Sequence, residues 1–412
     1  LQAPESVSAS LVSRWKEAER LSLGESYAGA DAKAIVQEQD QISDLVCARH
    51  FYSGLEREEP ATSLSPLLGG GRNIARRAAL VADWLETSAD PWLPLRGYKA
   101  LSVVTRDSRW EERAFSSLAR LVLAHTPLPS SSAQGQEIEL RRVLVRAAAR
   151  IDFGGGWTDT TPYSLEHGGT VLNAAVTLCG ELPIVAEVTV LDEPKLLLES
   201  KDLEATLSPR FVGEVTNYAN ARDPFALAKA GLILSGVIPS DARQDTELAT
   251  LLPNFGLRLT TATSVPVGSG LGTSSILAGA ILKSLATLLG RSWGRVEGDA
   301  ELFGRVLCLE QMVTTGGGWQ DQVGGLSPGI KLITTQPGLP QNIQVERIPL
   351  SYPLRQAFDT RLLLIYTGQR RLAKNLLQKI MGRYMARDPE MVSMLRDIAQ
   401  LAREMRRALR DE

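Results

Sequence analysis

Apolar residues recur at helical spacing through the first third of the chain and give way to strand-like alternation after about residue 138. Residues 8–21, 31–50, 73–87 and 110–125 each carry the three-to-four-residue period of an amphipathic helix. Asp107-Ser108 ahead of Arg109-Trp110-Glu111-Glu112 supplies a helix start for the last of these. Within the third, the pair Arg76-Arg77 reads as a solvated helix face. Residues 126–135, Thr-Pro-Leu-Pro-Ser-Ser-Ser-Ala-Gln-Gly, have linker composition. Beyond them 141–153, 170–178, 182–191 and 195–199 read as strands, followed by helices at 224–234 and 298–312. A further strand is predicted at 361–366, with helices at 371–385 and 389–409. Strands with intervening helices in one segment imply an α+β domain preceded by a mainly helical one. The expected division is 1–137 helical, 138–340 α+β, and 341–412 the start of a C-terminal domain. The chain stops on a charged helix, so a longer protein with that last domain incomplete here is expected.

At 412 residues there is ample chain for more than one core, and the 44% hydrophobic and 22% charged fractions are those of an ordinary globular protein. A formal charge of −2 gives no electrostatic reason to expect nucleic acid or an acidic membrane as partner. No apolar run approaches the ~18 residues of a spanning helix. Cys47, Cys179 and Cys308 are scattered and without metal-ligand spacing, so buried, reduced thiols in a cytoplasmic protein are expected. The three histidines are equally dispersed and do not point to zinc.

Chemistry concentrates in glycine-rich clusters. Gly256-Leu-Arg-Leu-Thr-Thr-Ala-Thr263 alternates as a strand. It leads into Pro266-Val-Gly-Ser-Gly-Leu-Gly-Thr-Ser-Ser275, and an apolar helix follows behind a Thr-Ser-Ser start signal. Glycine lets backbone approach an anion, and the first N–H groups of a helix are unpaired and partly positive, so this geometry suits phosphate; a plain tight connection uses the same residues. No Gly-Lys-Ser/Thr follows, and Gly268, Gly270 and Gly272 do not have dinucleotide spacing. An NAD enzyme would also need a carboxylate about 20 residues on, where Arg291-Ser-Trp293 stands. A second cluster, Arg150-Ile-Asp-Phe-Gly-Gly-Gly-Trp-Thr-Asp159, places Trp157 and Asp159 beside Gly155 and Gly156. It can floor a sugar ring and accept its hydroxyls, or simply turn the chain. Glu310 near a helix C-terminus opposes the dipole, which a bound cation or solvent would offset. Asp321 lies in Thr314-Thr-Gly-Gly-Gly-Trp-Gln-Asp-Gln-Val-Gly-Gly325, on a constrained turn facing either a ligand or its own backbone.

In this order the clusters resemble the GHMP kinase superfamily. Its second motif, Pro-x-x-x-Gly-Leu-Gly-Ser-Ser, stands here as Pro266-Val-Gly-Ser-Gly-Leu-Gly-Thr-Ser274. Arg150 to Thr160, Pro162-Tyr-Ser-Leu-Glu166 and Thr367-Gly-Gln-Arg-Arg371 are similar to the L-fucokinase branch, over roughly residues 140–380. Ala148-Ala149 replace a usual Pro-Gly, Thr161 replaces a second proline, and the third glycine-rich motif of the family is absent from the chain. The resemblance implies the GHMP kinase fold, with a left-handed β-α-β unit around the phosphate loop, and phosphorylation of L-fucose by ATP with Mg²⁺. It implies ATP phosphates on Pro266, Gly268, Ser269, Gly270, Leu271, Gly272, Thr273 and Ser274. Mg²⁺ would lie on Ser274 and Glu310, with Thr273 as an alternative hydroxyl. Asp321 would be the catalytic base beside Arg150, and Asp159, Trp157, Gly155, Gly156 and Arg371 would meet the sugar. Another sugar kinase (for heptose phosphate, arabinose or galactose) or a non-catalytic sugar- and nucleotide-binding sensor remains the alternative.

Overall fold

The computed structural model describes residues 24–25, 29–69, 73–125, 138–220, 222–266, 268–294, 299–313, 316–365 and 373–411. The helical region holds α1 (Ala32–Glu56), α2 (Ala61–Leu68), α3 (Ile74–Glu86), α4 (Leu93–Thr105) and α5 (Ser108–Ala124). Asp31 caps α1, its Oδ1 accepting from Lys33 N at 2.9 Å, and Asp107 caps α5 from Arg109 N at 3.0 Å. The sequence pattern locates α1, α3 and α5 but not α2 and α4, where Pro66 and Gly97 interrupt the periodicity. Gly97 is a packing site: a Cβ there would lie 2.5 Å from Leu85. The helices close on Phe51, Leu64, Leu68, Leu85 and Leu101, all fully buried.

Arg77 corrects the expectation of a solvated face. Its side chain is largely buried, donating Nε to the fully buried Asp44 at 2.7 Å and Nη1 to Leu68 O at 2.8 Å. It therefore ties α3 to α1 and to the end of α2. Arg76, one residue earlier, stays half exposed.

The stretch expected as one strand at 141–153 breaks at Ala148 and serves two sheets. β1 (Arg142–Ala147) begins a five-stranded sheet ordered β1-β4-β7-β5-β6, with β4 (Ile184–Leu191), β5 (Leu196–Ser200), β6 (Ala205–Leu207) and β7 (Gly256–Thr263). β2 (Ala149–Gly154) begins a four-stranded sheet ordered β2-β3-β8-β9, with β3 (Thr170–Val176), β8 (Ile330–Thr335) and β9 (Ile343–Arg347). All neighbours are antiparallel except β5 and β7. β4 alternates buried and half-buried positions, as a strand covered on one face should.

Ten α-helices among the described residues complete this part. The first five are α6 (Tyr163–His167), α7 (Val212–Thr216), α8 (Ala226–Leu234), α9 (Leu248–Leu251) and α10 (Thr273–Leu288). The other five are α11 (Ala300–Met312), α12 (Gln320–Leu326), α13 (Tyr352–Arg361), α14 (Ala373–Met385) and α15 (Pro389–Asp411). α10 packs on β1 and β4 between α8 and α11, burying Ile276, Ile281, Leu282 and Leu285. β3 is covered on both faces: Val171 packs with Trp319 and Val323 towards α12, while Leu172 packs with Ala402 of α15. The main apolar core runs from Ala48 in α1 through Leu309 in α11 to Met385 in α14.

The strand expected at 361–366 is not formed in its described part. Residue 361 ends α13, and Leu363 and Ile365, 78% and 72% exposed, pair with no strand among the described residues. Strand propensity needs a neighbouring edge to be realised, and this run has none. Of the three cysteines only Cys308 is buried; Cys179 is exposed and Cys47 is intermediate. No helix among the described residues is long and apolar enough to cross a membrane.

Candidate active site

The loop between β7 and α10 carries three left-handed glycines, Gly268, Gly270 and Gly272, at φ 80°, 80° and 78°. At Gly270 a Cβ would meet nothing within 4 Å, so conformation alone requires glycine there. At Gly272 space requires it too, because a Cβ would lie 3.1 Å from the Asp321 side chain and 3.2 Å from Arg150 Cγ. The expected Thr-Ser-Ser cap is not used. Gly272 is itself the N-cap, without a side-chain bond, and Thr273 is the first helical residue. The first-turn N–H groups of α10 thus face the loop without a competing side-chain acceptor. Among the described residues the hydroxyls of Ser269 and Thr273 are buried without a hydrogen-bond partner. Pro266 and Ser274 are exposed, and Leu271 passes its carbonyl to Arg150 N at 3.3 Å.

Beside the loop opens a cavity of about 730 Å³. Leu259 and Thr261 of β7, Phe225 at the N-cap of α8, and Leu277 and Ile281 of α10 line it, together with Pro266, Thr273 and Ser274. It has the size of a small-molecule site, and Glu199, Asp202, Arg222 and Asp223 share its lining with the apolar residues.

Across the loop, β2 presents Arg150 and Asp152 on one face, two residues apart. Arg150 is buried and donates Nε to Asp321 Oδ1 at 2.7 Å, Nη2 to the same oxygen, and Nη1 to Gly270 O at 2.9 Å. Its Nη1 also lies 2.7 Å from Asp152 Oδ2. Burial works against the guanidinium charge, but Asp321 and Asp152 outweigh it and raise its affinity for the proton. Burial pushes Asp152 up to about 6 in spite of Arg150.

The glycine run ahead of α12 seats two more carboxylates. A Cβ on Gly317 would come 2.0 Å from Glu310 Oε2, and one on Gly318 would come 2.0 Å from Asp159 Oδ2. Glu310, at the last turn of α11, is buried and accepts from Ser275 Oγ; burial pushes it up to about 8. The hydroxyl that meets Glu310 is therefore that of Ser275, one residue beyond the expected Ser274. Asp159, 1% exposed, accepts from Gln320 N at 3.0 Å through Oδ2, while Oδ1 has no partner among the described residues; burial pushes it up to about 7. Trp157, at φ 77°, is half buried against the cluster of Tyr163 and Tyr384. Gly155 backs onto Thr170 O, and Gly156 faces the Gln320 side chain. Among the described residues no three His, Cys, Asp or Glu side chains form a metal-ligand group. Arg371 lies outside the described residues.

Three polar residues, two of them buried and Asp152 half-buried, escaped the sequence reading. Asp152, Asn173 and Lys331 are in register across β2, β3 and β8. Asn173 Nδ2 donates to Gln320 O at 3.2 Å, and Lys331 Nζ to Gly324 O at 2.8 Å and Gly329 O at 3.1 Å. The row holds α12 at both ends, and Gly324 allows the close approach: a Cβ there would lie 2.8 Å from Asn173 Nδ2. Burial lowers Lys331 to about 7. Asp152, two positions from Arg150, was the one with a usable signal.

Residues 242–328 match the GHMP kinases N terminal domain family. Together with the glycine loop, the two sheets and the Arg150–Asp321 pair, that match defines the class: the chain has the GHMP kinase fold and belongs to that superfamily. Within it, the chain is similar to the bifunctional fucokinase/GDP-fucose pyrophosphorylase of Arabidopsis thaliana, 39% identical over 274 residues, which are 65% of this chain and 24% of that protein. It is also similar to the L-fucokinase/L-fucose-1-P guanylyltransferase of Bacteroides fragilis, 31% identical over 403 residues, 96% of this chain and 42% of that protein. The chain thus spans less than half the length of either relative. Among solved structures, the Methanococcus jannaschii mevalonate kinase is similar with a TM-score of 0.42 at 14% identity, over 64% of this chain and 72% of that one.

Proposed function

We infer that the protein is an ATP-dependent sugar kinase that phosphorylates L-fucose at the anomeric hydroxyl, giving L-fucose 1-phosphate in salvage of free fucose toward GDP-fucose. The observation that carries the reading is the Arg150–Asp321 pair lying directly against Gly272 of the glycine loop. A carboxylate for a hydroxyl proton and a backbone cradle for phosphate then share one place. The names of the two curated relatives favour fucose as the sugar.

The 730 Å³ cavity accommodates the nucleoside of ATP, and residues 268–272 with the N-terminus of α10 take the phosphates. The residues present fit a divalent cation: the buried Glu310 carboxylate meets the Ser275 hydroxyl, and the Thr273 and Ser274 hydroxyls lie on the same first turn of α10. Mg²⁺ held there would neutralise phosphate charge. Trp157, Gly155, Gly156 and Asp159 receive the sugar. Asp321 accepts the proton of the anomeric hydroxyl as its oxygen forms a bond to the terminal phosphorus. The bond from that phosphorus to the bridging oxygen breaks, and ADP leaves with the electron pair. Arg150, linking Asp321 to the loop carbonyl of Gly270, stabilises the charge developing between them.

ADP release by the intact protein, measured over L-fucose, D-arabinose, D-galactose and a heptose phosphate, tests this reading. The highest kcat/KM is expected with L-fucose. A higher value with another sugar transfers the assignment to that sugar, and tight sugar and nucleotide binding with no ADP release replaces the enzyme by a sensor.

A further inference from the structure

Gln320 stands between the two carboxylates of the site, and its main chain is pinned on both sides. Its N–H donates to Asp159 Oδ2 at 3.0 Å and its carbonyl accepts from Asn173 Nδ2 at 3.2 Å. The side-chain Oε1 lies against Gly156, where a Cβ would be only 3.3 Å away, and among the described residues it is buried without a hydrogen-bond partner. Asp159 Oδ1 is likewise buried and unpartnered, on a residue 1% exposed. Two unpaired acceptors therefore sit at the junction of the Trp157 loop and the first turn of α12, next in sequence to Asp321. A buried acceptor left without a donor is costly, so such a pair selects a ligand that brings donors to both.

We propose that Gln320 is a specificity-determining residue that accepts a hydrogen bond from the sugar hydroxyl next to the anomeric carbon, acting together with Asp159. This rests on the kinase reading above. The charge of Asp321 acts on Asp159, which accepts from Gln320 N, so a ring whose anomeric hydroxyl meets Asp321 would carry its neighbouring hydroxyl towards Asp159 and Gln320. A sugar lacking that hydroxyl leaves the glutamine oxygen unpaired, and sites built around a buried acceptor discriminate strongly on that account.

The test is steady-state kinetics of the intact protein with L-fucose and 2-deoxy-L-fucose, wild type against Gln320→Met and Gln320→Glu. Gln320→Met keeps the length and removes the acceptor; Gln320→Glu keeps both length and acceptor and serves if the first variant does not fold. The expected result for Gln320→Met is an L-fucose KM raised about tenfold, an unchanged KM for ATP, and a preference over the 2-deoxy sugar reduced by about the same factor. Gln320→Glu retains the preference. An active wild type whose Gln320→Met variant keeps both sugar KM and preference overturns this inference alone, as does a Gln320→Glu variant that loses the preference. A wild type that turns over no sugar overturns it together with the kinase reading.

Discussion

Arg150 meets Asp321 through a single carboxylate oxygen: Nε and Nη2 both donate to Oδ1, and neither to Oδ2. Oδ2 is thereby turned away from the guanidinium while the charge of the group stays compensated. The third donor of Arg150 reaches Gly270 O, so one cation fixes both the carboxylate and the loop.

Replacing Arg150 by methionine leaves Asp321 and Asp152 facing each other without their shared cation. Breaking a buried ion pair from one side costs about 3–5 kcal/mol. Chemical denaturation of Arg150→Met is expected to show a loss of that order, and turnover is expected to fall at least about 10²-fold.

Gly272→Ala places a methyl group 3.1 Å from Asp321 at a backbone φ of 78°. A left-handed alanine costs roughly 1–2 kcal/mol before any clash is counted. Because the same residue caps α10 at the proposed phosphate cradle, the expected kinetic signature is a raised KM for ATP with a lowered kcat. Gly270→Ala, with the same φ and open space, is expected to show the strain without the displacement of Asp321.

Stability should depend on pH in a direction unusual for carboxylates. Asp159 is pushed up to about 7 and Glu310 to about 8, so between about pH 4 and 8 the folded chain holds protons that the unfolded chain has released. Folding stability then falls as pH rises through that window. Thermal unfolding of Asp159→Asn is expected to show a shallower decline than the parent between pH 4 and 7. Lys331, lowered to about 7, has the opposite sign above neutrality: the unfolded chain keeps that proton to about pH 10, so stability rises there. Lys331→Met should abolish that rise.

Glu166 joins three parts of the molecule. Its Oε2 accepts from Tyr384 at 2.7 Å and Arg387 at 2.6 Å, both from the α14–α15 region, and its Oε1 lies 3.3 Å from Arg96 of α4. Burial opposes ionisation, but Arg387 and Arg96 outweigh it and hold Glu166 below the usual glutamate range. Its contribution is therefore present above about pH 4 and lost as pH falls. Glu166→Ala is expected to destabilise by about 3–5 kcal/mol at pH 7, and by less at acid pH, in denaturant titrations.

The loop was legible because positive φ strongly favours glycine, which leaves a trace in the sequence at Gly268, Gly270 and Gly272. The meeting of Arg150 and Asp321, 171 positions apart, was legible only through the motifs of a resembling family. Asn173 and Lys331 were not legible at all. Each is an ordinary polar residue whose role arises from strand register, and register is a property of the assembled sheet. Arg77 was misread for a related reason: the Asp44 that buries it lies 33 positions away on another helix. The 362–365 run shows the converse, since its apolar β-formers satisfy a local rule with no pairing edge among the described residues.

The most direct measurement is Asp321→Asn in the intact protein, with turnover and the separate dissociation constants of ATP and L-fucose determined together. The account predicts turnover reduced about 10²- to 10⁴-fold with both ligands still bound. Near-normal turnover in that variant would contradict it.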